Sequence, residues 1–339
     1  MPYILLTGGC GYIGSHTCVE LIQEGKNIII IDNLYNSNIK VIDRIKKITG
    51  ICNDDRLLYY NIDMTNYDDL YTVFNKHNII AIIHFAGLKA VAESIIDPIK
   101  YYDINIKSTL NLLKLCYNRC NIIFSSSATV YGNKVTSPID ETMPIGNNIT
   151  NPYGMTKSII EQILQDACKA NNKFAVISLR YFNPIGAHPS SLIGEDPKGI
   201  PNNLMPILLK KVINNEQLHV YGNDYDTIDG SCVRDFIHVV DLAQAHCKAL
   251  DKLLLTTGYH AYNVGTGNGI SVLQLIDIFS KVCKYNVKYT ICDKRAGDSA
   301  ITYCNPTLIK QELNWTSKLT IADMCIDSWN WITNNPNGY

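Results

Sequence analysis

Short β-branched runs alternate with longer stretches of helical periodicity through the first half of the 339-residue chain. The runs are Tyr3–Thr7, Asn27–Asp32, Leu57–Ile62, Ile79–Phe85, Ile122–Ser125 and Phe174–Arg180, and between them lie Tyr12–Glu24, Asp68–Lys76, Pro98–Tyr117 and Pro152–Ala170. Strands that are apolar without a break are buried on both faces, which requires helices above and below a parallel sheet. The pattern is that of the α/β class with a Rossmann-type, doubly wound parallel sheet. After about Arg180 it loosens. Pro184, Pro189, Pro197, Pro201 and Pro206 punctuate loops, with Gly186, Gly194 and Gly199 among them, before helices near Asn203–Ile213 and Val239–Leu255. The expected division is a sheet domain over 1–180 with a return segment near 235–255, and a smaller α/β substrate domain over 181–339. The site is expected in the cleft between them.

Composition removes several alternatives. An apolar fraction of 46% against 18% charged residues supports a large core and excludes a disordered or fibrous chain. Lys+Arg number 30 and Asp+Glu 31, so no nucleic-acid partner or anionic membrane surface is indicated. No apolar run approaches the ~18 residues of a membrane span. The first strand opens at Tyr3, which argues against a signal peptide. Twelve cysteines are irregularly spaced with no C-x-x-C, and read as reduced thiols of a cytoplasmic protein. The eight histidines do not cluster with them, and no metal site is expected.

Directly after the first strand comes Thr7-Gly8-Gly9-Cys10-Gly11-Tyr12-Ile13-Gly14, which reads as G-x-x-G-x-x-G through Gly8, Gly11 and Gly14 and as G-x-G-x-x-G from Gly9. Such glycines permit a tight turn and let a pyrophosphate approach the backbone at a helix N-terminus. A glycine pattern alone is weak evidence. Here it follows a strand, opens a helix and is followed by Asp32, 18 residues beyond Gly14. A carboxylate there accepts ribose hydroxyls and repels a 2′-phosphate, which favours NAD over NADP.

Tyr153 and Lys157 form a Tyr-x-x-x-Lys pair just after Asn151-Pro152, and their i, i+4 spacing places both on one helical face. In a chain with 21 Tyr such pairs arise by chance, and a solvated helix face is the plain alternative. Context lifts this pair. Ser125-Ser126-Ser127 ends the fifth strand, the edge where α/β sheets bind ligands. A cation ~6 Å from a phenol contributes ~2.8 kcal/mol at an effective dielectric near 20, about two pKa units. With Lys157 and a bound nicotinamide ring both pushing that way, Tyr153 is expected to be drawn toward neutrality and to take a proton from a carbinol as hydride leaves.

These residues carry a resemblance. The chain is similar to the extended short-chain dehydrogenase/reductase superfamily, and within it to the UDP-galactose 4-epimerase family, from Tyr3 almost to Tyr339. The most specific segments are Thr7–Cys18, His84–Val91, Ser125–Gly132, Asn151–Lys157, Tyr181–His188, Gly199–Pro206 and Tyr221–Leu242. The resemblance implies that Tyr153 removes the 4-hydroxyl proton of the sugar while Ser127 hydrogen-bonds the same oxygen. Tightly held NAD accepts the C4 hydride and returns it to the opposite face after the 4-ketose turns about its link to UDP. It also implies that Tyr12, Ile13, Asp32, Asn33, Asn36, Ser37, Asp63, Met64, Phe85, Lys89, Asn105, Tyr153, Lys157 and Phe182 line the NAD. Asn183, Asn203, Leu204, His219, Tyr221, Arg234, Arg295 and Asp298 would hold UDP, with the arginines matched to a diphosphate. Ser108, Met155, Thr156 and Cys232 depart from the usual family residues without removing a chemical group.

Two rival readings differ from this one at identifiable residues. A sugar-nucleotide dehydratase or decarboxylase of the same superfamily would be expected to carry a carboxylate in the stretch held here by Ser127-Ala128-Thr129. A non-catalytic NAD-sensing protein would need neither Tyr153 nor Lys157. The resemblance further implies a homodimer in which Pro98–Tyr117 and Pro152–Ala170 pair with their copies as a four-helix bundle. It also places a gate residue four positions beyond Asp298, at Thr302. Thr is small enough to admit an acetamido group, so activity on N-acetylated UDP-sugars is expected. Tyr303, next in line, would block it if the register slipped by one.

Overall fold

Ile28–Asp32 is buried at all five positions and Ala175–Tyr181 at all seven, which is possible only for strands covered on both faces. In the computed structural model, which describes all residues except Asn53, Ile200, Asn202, Ala296 and the side chain of Asp54, these strands belong to one seven-stranded sheet. Its order is Gly258–Val264, Ala175–Tyr181, Asn121–Ser127, Asn78–His84, Pro2–Thr7, Ile28–Asp32, Leu57–Asn61, and every pairing is parallel.

Side chains alternate across this sheet and divide the core in two. Ile4, Leu6, Ile28 and Ile30 meet Leu21, Leu242 and Ala245 of the Tyr12–Gln23 and Val239–Leu253 helices on one face. Leu5, Ile29, Ile82 and Ile122 meet Leu112 and Leu164 of the Pro98–Cys116 and Pro152–Ala170 helices on the other. The edge strand Gly258–Val264 lies beyond the 235–255 return segment. Its first four residues are only half-buried and its sequence, GYHAYNV, lacks a continuous apolar run. The Lys40–Thr49 helix was also unforeseen, because just three residues, Val41, Ile42 and Ile45, mark its buried face.

The remaining elements form a smaller layer. Val233–His238 pairs with Asn183–Ile185, Gly269–Ser271 and Ile301–Thr302, while Leu218–Tyr221 pairs with Tyr289–Cys292. Helices Leu204–Ile213, Val272–Val282 and Ile321–Asn334 share a core around Leu208, Phe279 and Cys325. Among the described residues no helix is long and apolar enough to cross a membrane.

Three buried histidines tie this core to pH. His16 and His246 bond carbonyls of their own helices at 2.7 and 2.8 Å, and His84 lies between the hydroxyls of Thr7 and Thr109 at 2.7 and 3.1 Å. Burial pushes His16 and His84 down to about 3 and His246 to about 4. The unfolded chain binds these protons near pH 6.5 and the folded chain does not, so stability present above 6.5 is lost as pH falls. Three such groups give a limiting slope of about 4 kcal/mol per pH unit. Calorimetry should show Tm dropping steeply between pH 6 and pH 4.5; a flat profile would contradict the burial of neutral imidazoles.

Candidate active site

The glycine loop closes against the sheet. Gly8 has φ of +69°, and a Cβ there would lie 2.8 Å from the Ala86 amide. A Cβ on Gly14 would come within 2.5 Å of the Gly8 carbonyl, so the Tyr12–Gln23 helix starts directly on the loop. Gly11 caps that helix with no side-chain hydrogen bond, which leaves its first amides to serve an anion. Asp32 braces the arrangement: one carboxylate oxygen accepts from the Cys10 amide at 3.0 Å, the other from the Leu34 amide and Ser37 hydroxyl at 2.9 and 2.7 Å. The singly bonded oxygen keeps acceptor capacity for a ribose hydroxyl. A cradle that a Cβ would fill, an uncapped helix end and this carboxylate fit a dinucleotide.

All these groups open into one cleft of about 720 Å³. Gly8, Gly11, Tyr12, Ile13, Gly14, Asn33, Asn36, Ser37, Asp63, Met64, Phe85, Lys89 and Phe182 line it. Asn105 does not. Its carboxamide bonds Leu88 N and O at 2.7 and 3.1 Å and the Thr156 hydroxyl at 3.1 Å, so it props the Gly87–Lys89 wall from behind.

The reacting groups meet midway along the cleft. The Asn151 side chain caps the Pro152–Ala170 helix by accepting from the Gly154 amide at 2.8 Å, which fixes where the first turn, and Tyr153, stands. Ser127 ends the Asn121–Ser127 strand with its hydroxyl beside the Tyr153 phenol. One turn on, the Lys157 ammonium donates to the Ser125 carbonyl at 2.6 Å and lies 4.7 Å from the Phe124 ring centroid and 5.9 Å from that of Tyr153. Burial governs both titrations. It pushes the phenol up to about 12, against the Ser127 bond, and the ammonium down to about 8, against the charge of Glu161. The expectation that Lys157 and a bound nicotinamide ring together draw Tyr153 toward neutrality concerns the NAD-loaded protein; in the chain alone burial holds the phenol high, which sequence spacing cannot report.

At the far end Asn183, Asn203, Leu204, His219, Tyr221, Arg234, Arg295 and Asp298 line the cleft; of the Gly199–Pro206 segment, Ile200 and Asn202 lie outside the described residues. The Arg295 guanidinium sits 3.7 Å over the Tyr221 ring. Arg234 is held by the Val233 and Ser299 carbonyls, both at 2.8 Å. Thr302 is not a lining residue, but it pairs with Arg234 in a parallel register and therefore shares its sheet face. The Tyr303 ring covers Gly269 instead. Lining residues that were not assigned to the site include Tyr181, bonded to His246; Glu195, which accepts from Lys89 at 2.9 Å and Asn203 at 3.0 Å; and Tyr339, whose hydroxyl bonds Gly194. Of these three, Tyr181 could have been noted, as the residue opening a motif already singled out.

The chain is similar to known proteins over its whole length. The sequence model of the NAD dependent epimerase/dehydratase family matches residues 4–265. A UDP-glucose 4-epimerase of Bacillus subtilis is 52% identical, with 99% of this chain and 98% of the relative covered. One of Drosophila melanogaster is 46% identical over 100% and 98%. The crystal structure of UDP-glucose 4-epimerase from Bifidobacterium longum in complex with NAD+ and UDP superposes with a TM-score of 0.94 at 46% identity, over 100% of both chains. The UDP-Glc/GlcNAc 4-epimerase of Campylobacter jejuni gives 0.84 at 32% identity, over 98% and 100%.

Proposed function

Because the chain belongs to the NAD dependent epimerase/dehydratase family, we propose that it interconverts UDP-galactose and UDP-glucose by inverting C4 of the hexose, with NAD as its cofactor. The observation that carries this is the convergence of Ser127, Tyr153 and Lys157 in one cleft between a dinucleotide cradle and a pair of fixed arginines. NAD, when bound, supplies hydride acceptance at C4 and hydride return to the opposite face. The glycine loop and Asp32 would hold its pyrophosphate and ribose. Tyr153 takes the 4-hydroxyl proton, Ser127 bonds the same oxygen, and Lys157 provides positive charge that favours the phenolate. Arg234 and Arg295 neutralise the diphosphate so that UDP stays fixed while the 4-ketose turns. Incubation with UDP-galactose should yield UDP-glucose. No carboxylate stands among Ser127, Ala128 and Thr129 to expel water, so no dehydrated product is expected.

Three finer readings belong with this one. Thr302 shares the face of Arg234, and a hydroxyl-bearing side chain of its size leaves room for a C2 acetamido group, so UDP-N-acetylglucosamine and UDP-N-acetylgalactosamine are also substrates. A homodimer forms over the Pro98–Cys116 and Pro152–Ala170 helices. Ile95, Ile96 and Ile99 beside and on the first helix are 60%, 84% and 75% exposed, an apolar patch that a second copy would cover. Twelve free thiols support a reducing compartment, and a cytoplasmic location is part of the proposal.

Tyr153→Phe should lose nearly all turnover, on the order of 10²–10⁴-fold, while still purifying with NAD; near-normal activity would remove Tyr153 as the base. Thr302→Tyr should suppress the N-acetyl reaction and spare the galactose reaction, and a native protein inert toward UDP-N-acetylglucosamine would overturn the gate. Sedimentation at micromolar concentration should give a dimer that Ile99→Asp weakens, whereas a native monomer would refute the interface.

A further inference from the structure

Beneath Tyr153 and Lys157 the same helix face carries a third ionisable residue. Glu161 follows Lys157 by one turn and is fully buried. Its carboxylate faces the Arg180 guanidinium in a two-pronged pair, with Nη2 at 2.7 Å and Nε at 3.1 and 3.2 Å from the two oxygens. Two further donors complete its shell: the Ser126 hydroxyl at 2.5 Å and the Tyr259 hydroxyl at 2.8 Å. Arg180 continues to the Tyr131 hydroxyl at 2.8 Å, and that hydroxyl donates to Asn263 at 2.8 Å. Every oxygen of a buried charge is thus satisfied, which is the condition for keeping such a pair inside a core.

Fold stability alone does not explain the pair, since apolar residues of equal volume often serve as well. Its position is informative. Ser126 lies between Ser125, whose carbonyl holds Lys157, and Ser127, whose hydroxyl meets Tyr153. We infer that Glu161, paired with Arg180, is a positioning residue for the epimerase reaction: it locks the Ser125–Ser127 strand end to the Pro152–Ala170 helix that carries Tyr153 and Lys157. This rests on the epimerase reading and assigns that reading a residue outside the cleft. Glu161 touches neither substrate nor cofactor and acts through Ser126 and Lys157.

The ionisable groups around Lys157 are few. Tyr153 and Glu161 share its helix, His84 ends the adjoining Asn78–His84 strand, and Arg180 and Tyr181 end Ala175–Tyr181. His84 is held neutral by burial, and Tyr153 and Tyr181 are phenols pushed up by burial, leaving Glu161 as the negative charge that offsets desolvation of the ammonium. Neutralising Glu161 removes that support and lowers the pH at which the ammonium is lost.

The test uses the purified NAD-containing enzyme with UDP-galactose, following kcat and KM from pH 6 to pH 9.5. In Glu161→Gln the alkaline limb of kcat should move down by about one pH unit. A merely structural defect would instead lower kcat equally at every pH, and an unmoved limb overturns the proposal. Ser126→Ala leaves the ion pair intact and removes only the tie to the strand end, so it remains informative if Glu161→Gln does not fold. Its kcat should fall about tenfold with KM within about twofold. Wild-type turnover in Ser126→Ala would refute the positioning role. Inactivity of the unaltered protein toward UDP-galactose would sink the epimerase reading itself, which separates the two failures.

Discussion

A lysine ammonium held in the protein interior is the constraint on which the rest of the site depends. Lys157 is buried beside Phe124, and burial draws its pKa down to about 8. An ammonium in that position is tolerable because it donates to the Ser125 carbonyl at 2.6 Å and stands one turn from the Glu161 carboxylate. The Lys157–Ser125 bond, with the Ser126–Glu161 bond beside it, fixes the Pro152–Ala170 helix against the end of the Asn121–Ser127 strand. The same contact that satisfies the charge therefore determines how Tyr153 meets Ser127. Chemistry and packing are not separable at this point of the fold.

The parallel sheet was legible because burial on both faces leaves a simple trace. Ile28-Ile29-Ile30-Ile31 can be little else, and four other inner strands announced themselves in the same way, while the edge strand Leu57–Asn61 showed itself by its Leu-Leu-Tyr-Tyr run. Gly258–Val264 did not, since an edge strand paired on one side only can carry His260 and Tyr259 half-exposed. The strands of the smaller layer are two to six residues long and pair with partners far away in sequence. Periodicity needs more residues than that to register, and such elements are fixed by tertiary contacts.

The site divides along a similar line. The glycine loop, Asp32 and the Tyr153–Lys157 spacing are local patterns, and each was readable because its chemistry depends on neighbours in the chain. Asn105 was assigned to the cofactor wall, yet its carboxamide is spent on Leu88 and Thr156, a distribution of hydrogen bonds that no spacing encodes. The balance at Tyr153 is of the same kind. Its neighbours in sequence suggest a lowered pKa, while the packing around it raises the value to about 12. Burial is a property of the fold, and in the chain alone it sets the sign of the shift.

That burial bears on the proposed reaction. At about 12 the phenol of the protein alone is protonated at neutral pH, so Tyr153 is not a standing base. In the proposed reaction, positive charge beside the phenol would have to offset that burial, and Lys157 and a bound nicotinamide ring would be its two sources. Glu195 accepts from Lys89 on the dinucleotide side and from Asn203 on the nucleotide-sugar side, and Lys198 bonds the Leu34 carbonyl at 2.6 Å across the same boundary. These bonds tie the wall beside the glycine loop to the wall that carries Asn203, so the two ends of the cleft move as one unit.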